Sequence, residues 1–506
     1  MCESCSSNPI NRREFISGSL KASGYVTLAS MTGAIPAMGS YISDHSNSPL
    51  TFPGNLSPIN KVPAKVKVAF LYPPAEVVIA GEFEDLWAPN NWFTWPGNQF
   101  EPERQEKLFT SKISEIAGKL GIDVSFESKA IYQKAKVDEF IRRTKDEKPD
   151  AVLIVNFVNT LRDWSFEMAT KIAPAAIVYQ PVGANHQLPP NNLMNTKGIY
   201  YIHSIENWDE IERGLLAVRA KKMLAQSRLI RISDQGQTPP DRERSLGVDI
   251  VDVSADEFNS LFDSIKADNI LRKEAMEFKK KARLVMDVED SFIIDGIRSH
   301  HSVKSIMGKY GADAITIRCL MLKHRKPCMS FSINNGNLIP CGCENDLNPT
   351  LTLMLGRWMF ERAGFQHNPE FDTSENLYFG AHCTCPTKMK GPKGPELDYL
   401  IRPFFHQLPK TAALDVQLTS GEPLLLVKYN SENHSLGCYT GKVIESPKSP
   451  PTGGCATRVL AGIDKLDNIT ECYMGPHPIL YFGDRGDARR LKAFSQLYDL
   501  NLKSNI

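Results

Sequence analysis

Residue types able to hold a metal ion gather in the last third of this 506-residue chain. Cys341-Gly342-Cys343-Glu344-Asn345-Asp346 is followed by Asp372 and by Gly380-Ala381-His382-Cys383-Thr384-Cys385-Pro386. Gly475-Pro476-His477 then precedes an apolar run that closes at Gly483-Asp484. Two carboxylates and a histidine carried on separate elements can hold a hard divalent cation. Such an ion, with open positions for a polyol, is the usual machinery for moving a proton between adjacent carbons of a sugar.

These residues need a scaffold that brings distant segments together. Val66–Tyr72, Asp150–Phe157 and Ala175–Tyr179 read as apolar strands, with helical patterns at Glu103–Leu120, Lys136–Asp146 and Trp164–Ile172 and a short strand at Asp123–Phe126. Continuous apolar strands between helices predict a parallel sheet covered on both faces. A second alternation is expected from Arg228–Ile232 and Val248–Val253, a helix at Ala255–Ile265 and a long helix at Ala267–Met286. Strand-like runs follow at Ala314–Ile317 and Cys328–Phe331, then a helix at Leu347–Ala363 capped by Asn345 or Asp346. No Gly-x-Gly-x-x-Gly follows the first strand of either unit, which argues against a dinucleotide site. Beyond about residue 375, short β-prone runs such as Ala413–Leu418, Leu424–Tyr429 and Pro478–Phe482 alternate with turns, the pattern of an antiparallel sheet or small barrel. The expected fold class is α/β, with two Rossmann-like parallel-sheet domains (64–225 and 226–374) and a β-rich, barrel-like domain at 375–506.

The Cys-Glu-Asn-Asp segment opening a helix, the downstream Asp, the Gly-Ala-His segment and the late His before a strand resemble the L-fucose isomerase and L-arabinose isomerase superfamily over roughly residues 64–490. The resemblance implies the same three-domain architecture and a metal-dependent aldose–ketose isomerase. In that family a Glu in a Cys-Glu-x-Asp context is both metal ligand and catalytic carboxylate, a role that falls on Glu344. Asp372 takes the place of the second carboxylate, catalytic and metal-binding, and His477 that of the late histidine ligand. Each has a bland alternative: Glu344 as complement to a helix N-terminus, Asp372 as an exposed turn carboxylate replaceable by Glu370 or Glu375, His477 as a structural imidazole. In the arabinose-type enzymes a glutamate three positions after the Gly-Ala-His histidine binds metal. Cys385 stands there in this chain, so the fucose-type set of Glu, Asp and His fits better, and His382 is left to bind substrate hydroxyls or to orient a ligand.

Two carboxylates and one imidazole make Mn²⁺ the expected cation. It would bind the open-chain sugar through O1 and O2, and the two carboxylates would shuttle the proton through a cis-enediol. A periplasmic sugar-binding or sensing protein without turnover is the alternative. Cys341, Cys343, Cys383 and Cys385 invite a third reading, a tetrathiolate zinc or iron–sulfur site, against that of small buried packing residues. Trp87, Trp92 and Trp95 offer aromatic faces for a sugar ring, Trp92 being the candidate contact, or else form a packed loop.

With 59 basic and 58 acidic residues the chain carries no electrostatic footprint for nucleic acid, and a small polar substrate is expected. Arg12-Arg13 before a weakly apolar stretch resembles a Tat-type export signal over 1–37, followed by a Ser-, Asn- and Pro-rich linker over 38–63. The expected partners are therefore a sugar, the Tat machinery and, by resemblance, further copies of the chain. The expected compartment is the periplasm, or the cytoplasm if the signal does not function. Nine of the eleven cysteines lie between Cys319 and Cys472. Folding before export would take place in a reducing cytoplasm, so disulfides are not required.

Overall fold

Five strands, β1 (Lys65–Leu71), β2 (Asp123–Phe126), β3 (Ala151–Asn156), β4 (Ala176–Pro181) and β5 (Ile199–Ser204), form a wholly parallel sheet in the order β2-β1-β3-β4-β5. Every residue of β3 and β4 is buried, as their unbroken apolar sequences require of a sheet covered on both faces. The helix Pro102–Leu120 starts with proline at its first position and stops at Gly121, whose φ of 65° is the left-handed cap glycine adopts without strain. It lays Phe109, Ile113, Ile116 and Leu120 against the sheet. The structure is a computed structural model and describes residues 59–83, 101–172, 174–181, 194–234, 241–404, 409–448 and 454–506. The expected signal, most of the expected linker and Trp87, Trp92 and Trp95 lie outside them.

The second parallel sheet takes β6 (Arg228–Ser233), β8 (Asp249–Ser254), β10 (Ala314–Ile317) and β11 (Cys341–Cys343), with the short antiparallel β7 (Asp241–Arg242) at one edge. Its order is β11-β10-β6-β8-β7. Two elements differ from expectation. Cys328–Phe331 is not a strand but the start of a helix, Cys328–Gly336, because so short an apolar run carries no period to separate the two states. The long charged helix ends at Lys281, after which β9 (Leu284–Val285) joins a small third sheet in the order β16-β15-β9.

The C-terminal region is β-rich. Strands β12 (Gly364–Gln366), β13 (Asn368–Asp372), β14 (Leu377–His382), β15 (Tyr399–Phe404), β16 (Thr411–Val416), β17 (Pro423–Asn430), β18 (Ser435–Glu445), β19 (Thr457–Ile463), β20 (Ile479–Phe482) and β21 (Asn501–Ser504) lie here. The main path, β12-β20-β17-β18-β19-β14-β13, is antiparallel, and β21 is added parallel to β18. No described helix is long and apolar enough to cross a membrane.

The helix Leu347–Phe360 joins these layers. It is buried on almost every side: Leu351, Leu355 and Phe360 pack into the first sheet's core cluster, while Thr352 Oγ1 accepts a hydrogen bond from Tyr429 N (2.9 Å) on β17. Its first turn presses on β11 so closely that a Cβ on Gly342 would lie 1.8 Å from Thr350 Oγ1. Glycine between the two cysteines is thus a packing requirement that brings the strand end and the helix start into one place.

Candidate functional site

Strand β11 is an edge strand, and buried amide side chains replace its missing ladder partner. Asn335 Nδ2 donates to Cys341 O (3.0 Å) and Asn335 Oδ1 accepts from Cys341 N (2.9 Å). Gln366 Oε1 then accepts from Cys343 N (2.8 Å). The strand end is therefore fixed before the chain turns. It turns through two consecutive left-handed residues, Glu344 (φ 64°) and Asn345 (φ 60°), held by Asn345 N donating to Ile317 O at 3.0 Å. Such backbone costs on the order of 1–2 kcal/mol per non-glycine residue. Here it lifts Glu344 out of the sheet at the carboxyl end of a parallel strand, where open α/β sheets present their ligands.

Two histidines from the antiparallel sheet flank this carboxylate. His382, the last residue of β14, places Nε2 3.5 Å from Glu344 Oε1, while its Nδ1 lies 3.3 Å from Thr384 Oγ1. His477 comes from the turn before β20 and is also left-handed, with φ 56°. Its Nε2 lies 3.4 Å from Glu344 Oε2, and its Nδ1 is bonded to Asp346 Oδ2 at 2.9 Å. The two rings stand nearly perpendicular with centroids 5.7 Å apart. His477 Nε2, though buried and near a carboxylate oxygen, makes no hydrogen bond, because its approach to Glu344 is misaligned.

Asp346 does two things. Oδ1 caps the helix Leu347–Phe360 through Asn348 N (3.2 Å), and Oδ2 holds His477. Lys428, buried on β17, donates to Pro476 O and braces the turn that carries His477. His367 is fully buried just below: one ring nitrogen meets Phe365 O at 3.0 Å, the other the Tyr378 hydroxyl. Burial pushes its pKa down to about 3, so it remains neutral.

The electrostatics follow from these neighbours. The His382 and His477 imidazoles hold Glu344 well below the usual carboxylate range, against the opposing effect of burial. Burial pushes His477 down, but the Asp346 hydrogen bond and the Glu344 carboxylate outweigh it and hold His477 at about 9. The site is thus a row of alternating carboxylate and imidazole: Asp346, His477, Glu344, His382.

The Asp346, His477 and Glu344 part of this row opens into a cleft of about 400 Å³, bordered also by Asn348, Ser431 and, from β6, Arg231. Arg231 is clamped by Asp252 on the neighbouring β8 through Nε and Nη2, the latter at 2.7 Å. Cys343 lies behind Glu344. Its sulfur, a Glu344 oxygen and a His382 nitrogen all fall within 4.8 Å of one another, the set of mutually close donors found among the described residues. The same sulfur lies 3.1 Å from Cys319 Sγ.

Of the expected ligands, Glu344 and His477 come together and Asp372 does not, while His382, expected to bind substrate hydroxyls or to orient a ligand, stands beside Glu344. Asp372 is exposed at the outer end of β13, and its Oδ1 accepts from Ser374 N (3.0 Å), Ser374 Oγ (2.7 Å) and Glu375 N (3.0 Å). On the paired strand it stands opposite Leu377, five residues from His382, which is roughly 17 Å along an extended chain. Among the described residues the thiols of Cys341, Cys343, Cys383 and Cys385 do not form a tetrathiolate, and none of the nine described cysteines is in a disulfide. Asp346 showed in the sequence only as a helix cap. Arg231, Lys428 and Gln366 carried no signal there, because their roles depend on strand pairing between distant segments.

No protein-family model matches the chain, and no curated protein matches it. Among solved structures it is similar to one described as "XylFII molecule", at 12% identity over 51% of this chain and 80% of that one. The TM-score of 0.16 is too low to carry an argument about fold or function.

Proposed function

We propose that this chain is a metal-dependent enzyme of the aldose–ketose isomerase class, moving a proton between adjacent carbons of a small polyhydroxylated substrate. The observation that carries this reading is the Asp346–His477–Glu344–His382 row, of which Asp346, His477 and Glu344 line a polar cleft and His382 stands behind Glu344. Glu344 and His382 are the residues that would hold a divalent cation. An anionic carboxylate and a buried imidazole nitrogen 3.5 Å apart suit such an ion, and His477 Nε2, buried beside them without a hydrogen bond, is left for the substrate. The cation, when bound, polarises the substrate carbonyl and acidifies the neighbouring C–H.

The protein's own part is to move the proton. His477 is oriented by Asp346 through Nδ1, so Nε2 is the atom turned toward Glu344, and in this reading it takes a proton from one carbon and returns it to the next. In the metal-free protein His477 is protonated at neutral pH. A cation on Glu344 would offset one of the two carboxylates that raise it, while Asp346 would still hold Nδ1, leaving Nε2 as the proton-carrying atom. Arg231, Asn348 and Ser431 provide hydrogen-bonding groups along the wall for substrate hydroxyls.

The test is an aldose panel run with divalent metal in deuterated water. An isomerase yields a ketose and leaves deuterium at C1 of the ketose or C2 of the aldose. Sugar binding with neither product nor exchange from any pentose, hexose or deoxyhexose replaces the enzyme reading with that of a sugar-binding protein.

A further inference from the structure

We propose that the cation site is a mixed thiolate site in which Cys343 is the third protein donor. The ion it selects would then be a borderline metal of the Zn²⁺, Fe²⁺ or Co²⁺ class rather than Mn²⁺. The inference rests on the functional reading above only in taking Glu344 and His382 as ligands. An expectation of Mn²⁺ depends on two carboxylates, and Asp372 is remote from the site. What replaces it at Glu344 is softer: an imidazole nitrogen and a sulfur, all three donors lying within 4.8 Å of one another. Donor type decides preference among such ions, since thiolate and imidazole suit zinc and its neighbours while all-oxygen sets suit manganese and magnesium.

Three features of the surroundings suit a thiolate ligand. Cys343 is pinned through its own backbone N–H and carbonyl by Gln366, at 2.8 and 3.3 Å, so the sulfur is held in place. Cys319 Sγ lies 3.1 Å from the Cys343 sulfur, and either can donate. In the metal-free chain Cys319, burial and the Glu344 carboxylate hold the Cys343 thiol well above its ordinary pKa, so the ion itself must displace that proton. The Cys319 S–H is then placed to donate to the bound sulfur. His477 approaches the same carboxylate but is not one of the mutually close donors, which leaves it free to carry a proton. On binding, the Cys343 S–H bond breaks, its electron pair forms the sulfur–metal bond and the proton leaves to solvent, one per ion.

Cobalt reports sulfur ligation directly. Titrating the whole chain with Co²⁺ under reducing conditions should produce visible ligand-field bands together with a near-ultraviolet sulfur-to-metal charge-transfer band, both saturating at one ion per chain. Cys343→Ser should abolish the charge-transfer band while the ligand-field bands persist through Glu344 and His382. Should that variant fail to fold, Cys328→Ala and Cys383→Ala serve instead: a band surviving in both supports Cys343, the sulfur within 4.8 Å of Glu344 and His382, and its loss in either folded variant overturns the assignment. Ligand-field bands without charge transfer in the unaltered protein overturn the thiolate and leave the cation site standing. Absence of all cobalt binding overturns both. A charge-transfer band that persists in folded Cys343→Ser assigns the sulfur elsewhere and also overturns the proposal.

Discussion

Glu344 and Asp372 are carboxylates of similar appearance in the sequence, each in a turn beside a strand, yet the structure puts them to opposite uses. Asp372 directs an oxygen at the backbone and hydroxyl of the two residues after its own turn, in full solvent. Glu344 makes no such local bond. It sits on strained backbone between two buried imidazoles brought from another sheet. What separates a ligand from a turn residue is whether nearby hydrogen bonds already use the lone pairs. A carboxylate satisfied by its own loop gains little from a cation, whereas one facing unpartnered nitrogens does.

The sharpest way to break this comparison is Glu344→Gln. The amide keeps the size but loses the charge that draws the cation, so metal content should fall steeply. Solvent exchange in the isomerase assay should drop by at least about 10²–10⁴-fold, the range expected when a proton-transfer centre is disabled. Metal analysis and deuterium incorporation check it together, and retention of both would remove Glu344 from the site.

The next effect is one of pH. His477 is raised in the folded chain to about 9 from an ordinary value near 6.5. A raised histidine contributes stability that is fully present below the unfolded pKa and is lost as pH climbs through the folded one. Metal-free protein should therefore lose on the order of 3 kcal/mol between roughly pH 6.5 and pH 9 from this residue. Glu344 works in the other direction, since its depressed pKa contributes stability above the ordinary carboxylate range that is lost on acidification. Asp346→Asn should flatten the alkaline loss, as seen in denaturant midpoints across pH. Cation and proton compete for the charge at this row, so affinity for the metal should rise with pH until His477 has titrated, by up to about tenfold per unit.

Gly380 gives a smaller and purely steric test. A Cβ there would stand 2.4 Å from the His367 ring, which is fully buried and bonded at both nitrogens. Gly380→Ala should destabilise the fold by about 1–3 kcal/mol, the usual cost of overpacking a core. It should also disturb His382, two residues along β14. A thermal midpoint unchanged from that of the unaltered protein would show that the ring can shift.

Much of this arrangement was legible in the sequence and part was not, for physical reasons. Apolar runs such as Ala151–Val155 and Leu424–Val427 show as strands because burial on both faces leaves little room for polar residues. Glu344, His382 and His477 stand out because few other residue types can do their chemistry. Cys328–Phe331 misleads because a four-residue, mostly apolar run fits either a helix or a strand. Asp346 looked like a cap and is one, and its second task depends on a histidine 131 positions away. Arg231 and Gln366 act only through neighbours that strand order supplies.

The smallest expected effect is the one that closes the comparison. Asp372→Ala removes three hydrogen bonds, but all lie within one exposed turn where water replaces them, and the β13–β14 pairing does not depend on that side chain. The Ser374 hydroxyl holds the Asp372 pKa below its ordinary value, yet that shift arises in solvent and gives the fold little. Metal content, deuterium exchange and His477 titration should all match the unaltered protein, with a thermal midpoint moved far less than by Gly380→Ala. Loss of metal in Asp372→Ala, with the fold intact, would mean that the carboxylate reaches the cation in a conformation other than this one. It would restore the two-carboxylate site, and with it the case for Mn²⁺ over a thiolate-bound metal.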